Sequence, residues 1–113
     1  MKSKKNIVLI GMMGSGKSSL GRILSKKLNL TFIDIDQKIE ENENSKISEI
    51  FTKYGEKYFR KIEEKISLKF LSSKNSVISL GGGGFINDSI RKMCKKNCLS
   101  FWLDWKNETI VKR

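Results

Sequence analysis

Short apolar runs alternate with helically spaced apolar residues along this chain. Asn6 to Ile10 is apolar after its first residue, the pattern of a strand buried on both faces. Lys17 to Leu28 then sets Leu20, Ile23, Leu24 and Leu28 on one side of a helix. Thr31 to Ile35 predicts a second strand, ending in Asp34-Ile35-Asp36. Ile39, Ile47, Ile50 and Phe51 suggest short helices around an Asn-rich turn, and Gly55 marks the next boundary. From Glu56 to about Leu71 the positions Phe59, Ile62, Ile66 and Phe70 keep a period near 3.6, which predicts a helix of about four turns. Val77 to Leu80 is a third strand, Asp88 to Lys96 resumes helical spacing through Ile90, Met93 and Cys94, and Leu99 to Leu103 is a fourth strand. Thr109 to Arg113 looks like the first turns of another helix. Strands alternating with helices predict an α/β fold with a mainly parallel sheet, covered on both faces through right-handed crossovers.

The 113 residues suit a single domain spanning 1–113, with one core. The chain carries 23 basic and 12 acidic side chains and a net charge of +11, which favours anionic ligands. The charge is dispersed, and Lys57, Lys61, Lys65 and Lys69 recur every four residues as the solvated face of one helix, so no specific nucleic-acid partner is expected. Cys94 and Cys98 stand without any histidine in the chain, which excludes the usual Cys/His zinc sites and fits two small buried thiols in a reducing compartment. Apolar runs fall far short of the ~20 residues that span a bilayer, and the start lacks the apolar region of a secretory signal. A soluble cytoplasmic protein is expected.

Candidate chemistry gathers where strands end. Gly11-Met12-Met13-Gly14-Ser15-Gly16-Lys17-Ser18 has the spacing of a phosphate-binding loop, and it lies between a strand and a helix as that loop must. Its backbone N–H groups turn toward phosphate oxygens, Lys17 follows the β- and γ-phosphates, and the Ser18 hydroxyl is placed for the Mg²⁺ that bridges them. In an open parallel sheet ligands sit beyond the carboxyl ends of the strands, so Asp34, Asp36 and the run Gly81-Gly82-Gly83-Gly84 fall at the same crevice. If extended pairing persists, Asp34 and Asp36 project to one side and can divide labour between a metal and an acceptor; Asp36 equally suits the start of a helix. Arg60 with Glu63 one turn on offers a guanidinium fork for a carboxylate or phosphate, or forms an ordinary surface ion pair. The glycine run suits close backbone approach to a ligand, or a flexible loop.

Together these residues resemble the shikimate kinases. The resemblance rests on Gly11 to Ser19, Phe32-Ile33-Asp34-Ile35-Asp36, Ile50-Phe51 with Gly55-Glu56, Phe59-Arg60 with Glu63, Leu80-Gly81-Gly82-Gly83, and Trp102-Leu103. It implies a three-layer P-loop kinase-like fold and transfer of the ATP γ-phosphate to the 3-hydroxyl of shikimate, in aromatic amino-acid biosynthesis. By that resemblance Gly14, Ser15, Gly16, Lys17, Ser18 and Ser19 bind ATP, and Ser18 and Asp34 hold Mg²⁺. Asp36, Arg60 and the glycines Gly81, Gly82 and Gly83 hold shikimate. Lys17 and Asp36 are the catalytic candidates, with Glu63 orienting Arg60. The family acts as a monomer, and its pattern continues into a lid with further arginines and a last strand. The resemblance therefore implies that this chain stops before the lid and last strand, leaving an edge that favours association. A non-catalytic ATP-binding module completed by a partner chain, and a related small-molecule kinase such as a gluconate kinase, stay open as alternatives.

Overall fold

The computed structural model describes residues 6–11, 17–104 and 109–112, with side-chain surroundings for 6–11, 19–81 and 84–100. Four parallel strands form the sheet: β1 (Asn6–Gly11), β2 (Thr31–Asp34), β3 (Ser76–Gly81) and β4 (Cys98–Asp104). A fifth, β5 (Thr109–Lys112), runs antiparallel to β4, giving the order β2-β3-β1-β4-β5. The helices between them are α1 (Lys17–Leu28), α2 (Ile35–Glu43), α3 (Ile47–Tyr54), α4 (Glu56–Leu71), the single turn α5 (Gly82–Phe85) and α6 (Asp88–Asn97).

The side-chain period of two along the strands divides the core. Val8, Ile10, Ile33, Ile78 and Leu80 join one buried cluster with Ile39 of α2, Ile50 of α3, Phe59 and Ile66 of α4, and Ile90 and Cys94 of α6. Leu9, out of phase with Val8 and Ile10, is fully buried on the other side, where α1 packs against β1, β2 and β3. Helices thus cover both faces of the sheet, as the alternation of elements predicts. At the amino end of β1, Asn6 is buried and bound to the α4–β3 turn. Its Nδ2 donates to the Leu71 carbonyl at 3.3 Å and the Ser73 carbonyl at 2.7 Å, and its Oδ1 accepts from the Ser76 N–H at 2.9 Å. Among the described residues no helix is long and apolar enough to cross a membrane.

Three expectations need correction. β2 ends at Asp34, not Ile35: the Asp34 carboxylate accepts from the N–H groups of Asp36 and Gln37, and this cap starts α2 at Ile35, inside the segment that an extended Asp-Ile-Asp would occupy. Asp36 therefore sits in the first turn of a helix. Thr109 to Lys112 is a strand, since Thr109, Ile110 and Val111 are β-branched and the free side of β4 supplies their hydrogen-bond partners. On α1 the positions closed to solvent are Gly21 and Ser25, while Ile23 and Leu28 stay exposed. The helix meets the sheet through its smallest residues, beside the Phe32 ring, so its apolar stripe is turned partly outward.

Candidate functional site

Register aligns the carboxyl ends of three strands. Gly11 pairs with Gly81, and Asp34 pairs with Ser79, so β1, β2 and β3 deliver their following segments to one edge of the sheet. Lys17 and Ser18 open α1 directly after β1, and Ser19 is exposed beside them. Gly14, Ser15 and Gly16 lie outside the described residues, as do the side chains of Lys17 and Ser18. The amino end of α1, where unpaired N–H groups and the helix dipole favour an anion, faces the same edge.

The second part of the site is assembled by α4. Gly55 (φ +89°, ψ 171°) ends α3 and starts α4; this backbone conformation is essentially restricted to glycine, and it fixes the turn from which Arg60 is presented. Phe59 anchors that turn, its ring centroid 4.6 Å from that of Phe51. Arg60 stays 40 % exposed and spans two carboxylates: its Nη1 donates to Glu63 Oε1 at 2.9 Å, and its Nε lies 3.5 Å from Glu56 Oε2. Burial acts to lower the Arg60 pKa, but the Glu63 hydrogen bond and charge, then Glu56, outweigh it and hold the guanidinium above its ordinary value. It remains a cation at any physiological pH.

Glu63 is a buried carboxylate, 5 % exposed. Burial pushes its pKa up, Arg60 pulls it down, and the negative charge of Asp36 pushes it up again, with the net shift upward. Asp36 stands in the first turn of α2, on the helix that packs against α4, and its charge reaches Glu63. Arg60 and Glu63 are paired, α2 packs on α4, and α5 closes the pair, since Gly84 lies against the Glu63 carboxylate and Leu80. The glycine run is not an open loop. Gly81 ends β3, and Gly82 to Phe85 make one helical turn whose leading N–H groups have no intrahelical acceptor.

Two features of this corner are not read from the spacing of residues. Asn87 Nδ2 donates to Glu64 Oε2 at 2.6 Å while Asn87 Oδ1 accepts from the Ile90 N–H, so one side chain caps α6 and ties it to α4. Tyr58 donates to Glu43 Oε1 at 2.6 Å and ties α4 to the end of α2. An asparagine before a helical apolar pattern signals the cap; its partner on α4, 23 positions earlier, leaves no periodic trace.

Among the described residues, no three His, Cys, Asp or Glu side chains gather into a metal cage. Asp34, half-buried at the end of β2, suits the different arrangement in which Mg²⁺ is held by one or two protein oxygens together with phosphates and water.

Comparison with known proteins gives this corner a lineage. The family model described as shikimate kinase matches residues 13–113. A shikimate kinase of Persephonella marina is 49% identical over 110 residues, covering 96% of this chain and 66% of the relative. The Bacillus subtilis enzyme is also 49% identical, over 107 residues, covering 92% of this chain and 58% of its own length. The structure of an Acinetobacter baumannii shikimate kinase in complex with shikimate superposes with a TM-score of 0.85 at 35% identity, covering 88% of this chain and 56% of that one. The chain spans about two thirds or less of these relatives. With the aligned strand ends, the Arg60–Glu63 pair and the matched sequence all pointing one way, the chain belongs to the shikimate kinase family.

Proposed function

We propose that this chain carries the nucleotide and acceptor sites of an ATP-dependent kinase acting on the 3-hydroxyl of shikimate. The observation that supports it most is the alignment of the carboxyl ends of β1, β2 and β3, which carries the phosphate-loop sequence, Asp34-Ile35-Asp36 and the glycine run to one edge, with the Arg60–Glu63 pair on α4 closed by Gly84 of that run. Gly14 to Ser19 enclose the ATP phosphates with backbone N–H groups, and Lys17 neutralises charge on the β- and γ-phosphates. Arg60 takes the shikimate carboxylate with its planar fork, while Glu63 holds that fork in one orientation. Asp36 accepts hydrogen bonds from the ring hydroxyls, and Gly81, Gly82 and Gly83 let the backbone approach the ring.

Transfer forms a bond from the shikimate 3-oxygen to the γ-phosphorus and breaks the bond from that phosphorus to the bridging oxygen. The hydroxyl proton passes to the Asp36 carboxylate as ADP leaves. Ser18 and, through water, Asp34 would hold Mg²⁺, which supplies charge neutralisation across the β- and γ-phosphates when bound. In-line placement of the two substrates accounts for much of the acceleration. The reading includes action as a monomer in the cytoplasm, with a small-molecule substrate rather than nucleic acid as partner.

The test is shikimate-dependent ADP release by the purified, folded chain, repeated with Lys17→Ala and Asp36→Ala. Both variants should lose turnover, Lys17→Ala with weakened ATP binding and Asp36→Ala with ATP binding intact. Folded protein that binds ATP but neither binds nor phosphorylates shikimate would overturn the reading, as would turnover with gluconate in its place.

A further inference from the structure

Glu63 has a neighbour on each side of its carboxylate. On one side Oε1 accepts from Arg60 at 2.9 Å. On the other lies Gly84, where a methyl group would stand 3.1 Å from Oε2, 3.3 Å from Cδ and 3.1 Å from Leu80 Cδ1. Those separations are tighter than ordinary carbon contacts, which sit near 3.5–4.0 Å. Neither neighbour has an easy retreat, because Leu80 is fully buried and Glu63 is closed to solvent.

Backbone conformation does not explain this glycine. Among the described glycines Gly55 alone has a positive φ, and Gly84 lies in a helical turn, where alanine is the better residue. The turn itself is held in place. Gly84 O accepts from the Asn87 N–H at 3.1 Å, and the Asn87 side chain is bound to Glu64 on α4. A side chain at position 84 would therefore press on Glu63 rather than lift α5 away.

We propose that Gly84 is a positioning residue for Arg60: the absence of a side chain there leaves the seat in which the Glu63 carboxylate lies, and that seat sets the aim of the guanidinium. The inference rests on the reading of Arg60 as the anchor of a substrate carboxylate. It concerns the fourth glycine of the run, which contacts no substrate in that reading. Gly84 acts through Glu63, and Glu63 through Arg60.

The experiment compares wild-type protein with Gly84→Ala by calorimetric titration of shikimate and of its carboxamide, which keeps the ring hydroxyls but lacks the charge. Gly84→Ala should weaken shikimate binding about tenfold, in keeping with the sensitivity of oriented contacts to displacements of a fraction of an ångström. Carboxamide and ATP affinities should stay within about twofold, and on an Arg60→Ala background the Gly84→Ala change should have no further effect on shikimate. In the ligand-free protein the Arg60 guanidinium NMR signals should shift. Equal losses for acid and carboxamide, additive losses with Arg60→Ala, or unmoved Arg60 signals would each overturn the proposal. Failure of wild-type protein to bind shikimate would instead count against the functional reading, while the Arg60 signals would still decide the positioning role. If Gly84→Ala does not fold, Gly84→Ala with Leu80→Val removes the Leu80 contact and keeps the one with Glu63.

Discussion

Replacing Asn6 with alanine isolates what holds the α4–β3 turn to the sheet. Asn6 is 1 % exposed and makes three hydrogen bonds, two from Nδ2 to the Leu71 and Ser73 carbonyls and one to Oδ1 from the Ser76 N–H. Alanine leaves a buried N–H and two carbonyls without that partner. A buried orphan costs about 1–3 kcal/mol, and the part-buried Ser73 carbonyl can recover water. The expected loss is therefore about 2–4 kcal/mol, or roughly 10 °C in Tm for a domain of this size. Urea unfolding should show a lower midpoint at unchanged slope, since the surface exposed on unfolding is the same. Asn6→Asp adds a second arm: it keeps the acceptor for Ser76 but turns an anion toward two carbonyls, so it should cost at least as much as alanine. Asn6 lies at the end of β1 opposite Gly11, so ligand affinities should not change in either variant. An Asn6→Ala loss below about 1 kcal/mol, or an Asp variant as stable as wild type, would refute the account of the buried amide.

Gly55→Ala should cost about 1–3 kcal/mol through backbone strain alone, because no atom lies within 4 Å of the added methyl; chemical denaturation would measure it. The raised Glu63 pKa means the folded state holds that proton more tightly than the unfolded chain, so ionised Glu63 opposes folding at neutral pH and the handicap fades as pH falls through its folded pKa. Glu63→Gln should accordingly raise Tm at pH 7.5, with the gain shrinking toward pH 4.5, the ordinary value, even as it weakens the hold on Arg60; a destabilisation equal at both pH values would contradict this. Asn87→Ala removes the α6 cap and the bond to Glu64, and should cost about 1–2 kcal/mol in urea unfolding. Cys94 and Cys98 are both buried, and the Cys98 hydrogen bond together with burial drives the Cys94 pKa far above the thiol range. Neither thiol should react with a disulfide reagent until the protein is unfolded; rapid labelling of the native state would contradict that.

Periodicity made most of the architecture legible, because each buried strand and each amphipathic helix must show its packing face in sequence. The helix Glu56–Leu71 matches the bounds that Phe59, Ile62, Ile66 and Phe70 predict. Where local signals compete, tertiary structure decided. Thr109 to Lys112 carries apolar residues compatible with either element, and the available side of β4 selects the strand. At Asp34 to Asp36 the carboxylate cap outweighs the extended pattern. The α1 stripe is turned outward because the sheet is met at Gly21, a close approach visible only once Phe32 is placed across from it. Motifs identified Asp36, Arg60 and Glu63 as separate candidates, but their placement relative to one another depends on how α2 packs on α4, and the seat at Gly84 on how α5 is tied to α4 and α6. Such contacts leave no spacing to read.

The position of β1 in the sheet has a consequence for how the chain acquires its shape during synthesis. β1 is made before both of its neighbours, β3 and β4, which lie roughly seventy and ninety residues downstream, so both its pairings carry a large loop-closure cost. At ribosomal speed its apolar run waits several seconds for either partner. The segment that leads into the phosphate loop thus emerges well before either of its partners and is enclosed late, and until β4 arrives the nascent chain presents Ile7 to Ile10 to chaperones and to other unpaired strands.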